Sequence, residues 1–142
     1  VKVEHMFGPK DDTSKFSSYL IRSCMSQVKE LPLTKGEQMR DFIYVADVTS
    51  AYLTILKNLK IIGDGFHQYE LGSGNAVSIR TFGELVKKLT NSKTNLCFGK
   101  LPYRDGEIMF SQANVSGIEG LGWISQYSLE RGLKITIEKD LF

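Results

Sequence analysis

Apolar and polar positions alternate from the first residue. Val1, Val3, His5 and Phe7 fall on one side of an extended segment, and Gly8-Pro9-Lys10-Asp11-Asp12 follows with turn-forming types, so a strand over 1–7 leading into a loop is predicted. From Ser14, a good N-cap type, Phe16, Tyr19, Leu20, Cys24 and Val28 recur at helical spacing. Leu31-Pro32-Leu33-Thr34 reads as a short strand whose proline suits an edge, and a turn at 35–37 leads to a second strand over 40–45 with which it could pair. Asp47 then caps or opens a helix carrying Val48, Ala51, Tyr52, Ile55, Leu56 and Leu59 at i, i+3, i+4, i+7 and i+8.

After a break at Gly63-Asp64-Gly65, a strand is expected over 69–71. Gly72-Ser73-Gly74 turns the chain again, and Ser78 caps a helix bearing Ile79, Phe82, Leu85, Val86 and Leu89. A strand over 95–98 precedes a loop over 101–109, Asn114 can cap a short helix, and Ser128 can cap a longer one running towards Glu138. Strands alternating with helices specify an α/β layer architecture rather than a bundle or a sandwich.

Composition narrows the class. With 42% hydrophobic residues over 142 positions, the chain holds enough apolar side chains for one domain spanning 1–142. Eighteen Lys and Arg against 16 Asp and Glu leave a formal charge of +2, so nothing demands a nucleic-acid partner. Cys24 and Cys97 stand far apart, and His5 and His67 complete no familiar metal cage with them; reduced thiols are the simpler reading. No apolar run approaches the roughly 20 residues needed to cross a bilayer, and no signal-peptide pattern opens the chain. A soluble, cytoplasmic protein with no membrane partner is expected. Because it starts on Val1 already in a strand pattern, it reads as a fragment.

Two segments carry candidate chemistry. In Arg40-Asp-Phe-Ile-Tyr-Val-Ala-Asp47 an arginine enters an apolar strand that feeds a helix. A planar guanidinium there can grip a diphosphate through two parallel charge-assisted hydrogen bonds, although a solvated or salt-bridged surface arginine fits the pattern as well. In Pro102-Tyr-Arg-Asp-Gly-Glu107, Arg104 could take a phosphate and Glu107 could accept both hydroxyls of a ribose diol; a local ion pair in an exposed loop is the alternative.

Several segments together resemble the extended short-chain dehydrogenase/reductase enzymes that act on sugar nucleotides. Met6-Phe7-Gly8-Pro9 is similar to their Tyr-Gly-Pro turn. Leu31-Pro32-Leu33 followed by 40–47 resembles the strands that pass over the nucleotide to the phosphate-binding arginine. Tyr69-Glu-Leu-Gly-Ser-Gly74 with Ser78-Ile79, then Tyr103-Arg-Asp-Gly-Glu107, Leu121-Gly-Trp123 and Ser128-Leu-Glu-Arg-Gly132, match their later motifs in order. The His5-Met6 variant, Asp11-Asp12 and the 104–107 loop look most like the branch that makes cytidine-diphosphate dideoxyhexoses for surface polysaccharide such as lipopolysaccharide.

That resemblance implies the carboxyl-terminal, substrate-binding part of an extended Rossmann-type enzyme, without its dinucleotide-binding half. It implies a nucleotide-diphosphate sugar as ligand: Arg40 and Arg104 would clamp the diphosphate, Glu107 would hold the ribose, and the backbone around Leu31 and Leu33 would meet the base. Lys15 and Phe16 would line the same site. His5 departs from the usual asparagine, and both a packed histidine and a group facing the sugar fit its position. NAD or NADP would belong to the full-length enzyme, with none expected on this chain alone.

Such enzymes exchange a proton through a Tyr-x-x-x-Lys pair while hydride passes to or from the cofactor. None of the six tyrosines here has a lysine four positions later. Gly117, Gly120 and Gly122 run G-x-x-G-x-G with no preceding strand, which reads as a short helix ending at glycine rather than a dinucleotide fingerprint. The expectation is therefore an epimerase, dehydratase or reductase half that does not turn over alone; a non-catalytic nucleotide-sugar module and a structural interaction domain are the alternatives. Unpaired edges at 1–7 and 69–71 would favour self-association with a second copy or with the missing half.

Overall fold

The computed structural model describes residues 1–140, so the last two residues of the predicted 1–142 domain lie outside the described residues. The chain opens with two short strands, β1 (Lys2–Val3) and β2 (His5–Phe7), in place of the single strand expected. They divide at Glu4 because the two halves have different partners. Lys2 and Val3 pair in parallel with β5 (Glu70–Leu71), whereas His5, Met6 and Phe7 pair in parallel with Phe42, Ile43 and Tyr44 of β4 (Met39–Tyr44).

Strand β4 is the hub. Its first half also pairs antiparallel with β6 (Ala76–Ser78) and parallel with β8 (Phe110–Ser111). It does not pair with β3 (Glu30–Leu33), which lies instead against β7 (Asn95–Phe98) in a separate parallel pair. The expected 31–34 to 40–45 pairing fails for a physical reason: β4 is already taken by β2 along its second half and by β6 and β8 along its first. Strands β6 and β8 escape periodicity because two or three residues cannot display a period.

Side chains alternate across β4 and divide the apolar residues between two layers. Phe42 and Tyr44 face a cluster with Phe7, Leu20, Phe82 and Leu133, covered by α1 (Phe16–Met25), α4 (Ile79–Leu89) and α6 (Leu129–Asp140). Ile43 faces the other cluster, with Val48, Ala51, Leu71, Ile118 and Trp123 from α2 (Val45–Lys57), β5, α5 (Ser116–Glu119) and its exit. Helices on both faces of a mainly parallel sheet make this the expected α/β architecture.

Local chemistry sets the helix ends. Ser78 caps α4 as predicted, its Oγ accepting the Thr81 amide at 3.0 Å, and Lys87 and Lys88 stand in the last turn where the helix dipole favours cations. Ser14 does not cap α1; its amide donates to Asp12 Oδ1 and the helix begins at Phe16. Helix α2 starts at Val45, two residues before Asp47, and stops at Asn58, after which α3 (Leu59–Ile62) is a separate turn. Tyr52, Leu56 and Leu59 are 44, 60 and 54% exposed, so the apolar stripe read along that segment is only partly covered. Among the described residues no helix is long and apolar enough to cross a membrane.

Helix α6 lies close on the sheet at Gly132, where an added Cβ would meet Phe7 Cζ at 2.8 Å and the Tyr44 side chain at 3.1 Å. At Gly117 of α5 the same atom would meet only Tyr69, at an ordinary 3.5 Å. Alanine gains about 1 kcal/mol of helix propensity at either position, while overpacking costs about 1–3 kcal/mol. Urea unfolding of the two variants should therefore show Gly132→Ala less stable than Gly117→Ala by about 1–3 kcal/mol.

Candidate functional site

Arg40 shares the face of β4 that carries Phe42 and Tyr44, and β6 and β8 flank its backbone. Its guanidinium donates to Glu107 Oε1 at 2.8 Å and to the Met39 carbonyl at 2.9 Å. The side chains are only 10% and 21% exposed, so this ion pair is largely shielded from water. Glu107 reaches it from a turn in which Gly106 takes φ +73°, the left-handed region that glycine tolerates, and the Glu107 amide donates to the Arg104 carbonyl at 3.1 Å. Tyr103 fastens that turn by donating its hydroxyl to Glu37 Oε2 at 2.8 Å.

The local ion pair considered between Arg104 and Glu107 does not form. Glu107 has Arg40, 67 positions earlier, as its partner. Arg104 stands exposed, and among the described residues no carboxylate lies within ion-pair distance of it. The other expected site residues are spread wider. Lys15 pairs with Asp11 at 2.9 Å on the surface, and Phe16 packs on Phe82 with the rings tilted and centroids 6.1 Å apart. Leu31 and Leu33 have buried side chains, which leaves only their backbone for any ligand; the Leu33 carbonyl already accepts the Leu101 amide, tying β3 to the start of the Arg104–Glu107 loop.

An aromatic row joins these places. Phe16 meets Phe82, Phe82 stacks on Phe42 with centroids 4.1 Å apart, and His5 meets Phe42 edge-on at 5.7 Å. His5 Nδ1 lies 3.6 Å from Oε2 of Glu4, whose carboxylate also accepts the Ser111 hydroxyl at 2.7 Å. Burial lowers the His5 pKa from its ordinary value, and Arg40 lowers it further, while Glu4 opposes both.

Two carboxylates hold the surrounding loops. Asp41, fully buried, accepts at Oδ1 from the Ser73 amide and hydroxyl at 2.7 and 2.6 Å, and at Oδ2 from the Gly74 and Ala113 amides at 3.0 and 3.2 Å. Asp47, expected to cap or open its helix, stands in the first turn of α2 and accepts from the Ser125 hydroxyl and the Gln126 and Tyr127 amides. The signal for Asp41 was a charged residue inside an apolar strand; nothing local marked Glu4 or Ser111. The larger surface concavity, about 690 Å³, lies around Pro9, Tyr44 and Glu138, and a second of about 360 Å³ includes Phe42 and Tyr127. Arg40, Arg104 and Glu107 line neither of these two concavities.

Residues 1–72 match the model of the NAD dependent epimerase/dehydratase family. The CDP-abequose synthase of Salmonella muenchen is 37% identical over 94% of this chain and 45% of its own length. The chain belongs to the NAD dependent epimerase/dehydratase family. A second CDP-abequose synthase, from Salmonella typhimurium strain LT2, is 35% identical over 98% of the chain and 47% of its own length. Among solved structures, MoeE5 in complex with UDP-glucuronic acid and NAD superposes with a TM-score of 0.83 at 26% identity, covering 96% of this chain and 44% of that one. The chain thus spans about half the length of the family members it matches.

The family name raises the question of a dinucleotide. Gly117 and Gly120 belong to the four-residue helix α5 and its exit, entered from a loop rather than a strand, and Gly72-Ser-Gly74 leads from β5 into β6, its first glycine lying against Asp41. Neither run forms the strand-to-helix phosphate cradle that a nicotinamide dinucleotide needs. The residues described here do not fit that cofactor.

Asn at position 41 would turn an amide NH₂ towards hydrogen-bond donors and leave them unmatched. Asp41→Asn should lower the unfolding free energy by about 2–4 kcal/mol in urea titrations. Asp12→Asn, at an exposed turn, should leave the urea midpoint nearly unchanged.

Proposed function

We propose that this chain binds a nucleotide-diphosphate sugar and forms the substrate half of an epimerase, dehydratase or reductase whose cofactor half, binding NAD or NADP, lies elsewhere. It does not turn over alone. The observation that carries the reading is the shielded Arg40–Glu107 pair, which brings together a diphosphate-binding and a diol-binding group from distant parts of the chain. The identity to two CDP-abequose synthases supports a cytidine-diphosphate deoxyhexose as the ligand class.

The pair also suggests how a ligand enters. An incoming diphosphate offers Arg40 two acceptor oxygens in place of one carboxylate oxygen, and the exposed Arg104 supplies a second cation. Glu107, released from Arg40, is then free to accept two hydroxyls of the ribose. Base contacts fall to the backbone of Leu31 and Leu33, and Lys15 and Phe16 line the far end of the aromatic row.

Calorimetric titration with CDP-glucose and UDP-glucose tests this. Arg104→Ala, a surface change, should weaken binding about tenfold, the loss of one charge-assisted contact. Glu107→Gln should weaken nucleotide-sugar binding yet strengthen binding of inorganic diphosphate, since Arg40 then has no anionic competitor. No binding of either sugar nucleotide by the folded chain would refute the reading. In sedimentation velocity the chain should self-associate, because β1 and β5 are each paired on one side only.

A further inference from the structure

His5, Glu4 and Ser111 form a polar chain that the binding reading above leaves unused. Glu4 stands at the break between β1 and β2, its amide bonded to the Leu71 carbonyl, and its side chain is 6% exposed. The Ser111 hydroxyl holds one oxygen of its carboxylate in place. Next to it, the His5 ring is about half exposed (47%) and rests on the edge of Phe42. At 3.6 Å the Nδ1 to Oε2 distance suits an ion pair rather than a hydrogen bond, so a proton on the ring is what would close it. Phe42 and Arg40 lie on one face of β4, and His5 is in register with Phe42, so His5 and Arg40 stand on the same side of two paired strands.

Resting on the nucleotide-sugar reading, we infer that His5 is a third cationic contact for the ligand's diphosphate, beside Arg40 and Arg104 and the one that is proton-linked, with Glu4 as its fixed counter-charge. The groups around it decide the direction. In the free chain Arg40 repels a charged His5, while Glu4 and Asp41 favour it, and desolvation adds to the repulsion. A diphosphate seated on Arg40 reverses the Arg40 effect and adds its own attraction. The imidazole then takes up a proton as ligand binds. By linkage, binding strengthens as pH falls from the bound-state pKa towards the free-state pKa, by up to about tenfold per pH unit in that window. The free-state value lies below 6.5, the ordinary histidine value.

Only two histidines occur in the chain, and a His67→Gln variant leaves the His5 ring signal alone for an NMR titration. Glu4→Gln should lower the His5 pKa in the free chain; an unchanged value would show that the two groups are uncoupled and overturn the proposal. Saturation with CDP-glucose, whose diphosphate charge is constant between about pH 5 and 8, should raise the His5 pKa above its free-state value. His5→Asn should still bind, with an affinity that no longer varies with pH. Binding by the native chain with a pH-independent affinity would overturn the His5 role while leaving the nucleotide-sugar reading intact. No binding at any pH would overturn both.

Discussion

A carboxylate at the centre of a sheet must be matched by donors or it expels itself by unfolding, and Asp41 is matched by four. That requirement places the Ser73–Gly74 turn and the segment around Ala113 against β4. It also leaves no room for a side chain at position 72, where a Cβ would collide with the Asp41 carboxylate and with Ala113. The turn and the Ala113 segment flank the two strands that pair with the first half of β4, and the same stretch of β4 presents Arg40. The geometry at Arg40 therefore depends on a buried charge one residue away that faces the opposite layer.

How much of this was legible depended on whether a physical signal was local. Helix α4 and β7 could be read to the residue because Ser78 is a side-chain cap and because 95–98 is a short apolar run between turns. The strand 40–45 was legible for the same reason, but its partners were not. Nothing near 31–34 reveals that it pairs with 95–98, because register is set by which faces are buried and not by proximity along the chain. The stop at Asn58 also escaped, since apolar spacing runs on past it while the packing does not.

The site shows the same divide. Arg40, Arg104 and Glu107 could be named from residue type and motif order, yet the pairing that joins the first to the third spans 67 positions and arises only when β8 docks on β4. Glu4 and Ser111 carried no local mark, being ordinary polar residues until the β1–β2 break brings one to the other. Motif order thus nominated the candidate groups, and tertiary pairing decided which of them touch.

Holding its own counter-ion makes Arg40 electrically quiet. Arg40 exerts little pull on small anions at a distance, because Glu107 cancels its charge within 2.8 Å and with little water between. Free phosphate, abundant in any cell, must evict that carboxylate and leaves it stranded. On the proposed reading, a ligand that carries a sugar diol beside its diphosphate would rehouse the carboxylate it displaces. Discrimination would then come from an internal competitor, and common anions would be refused without any wall to keep them out.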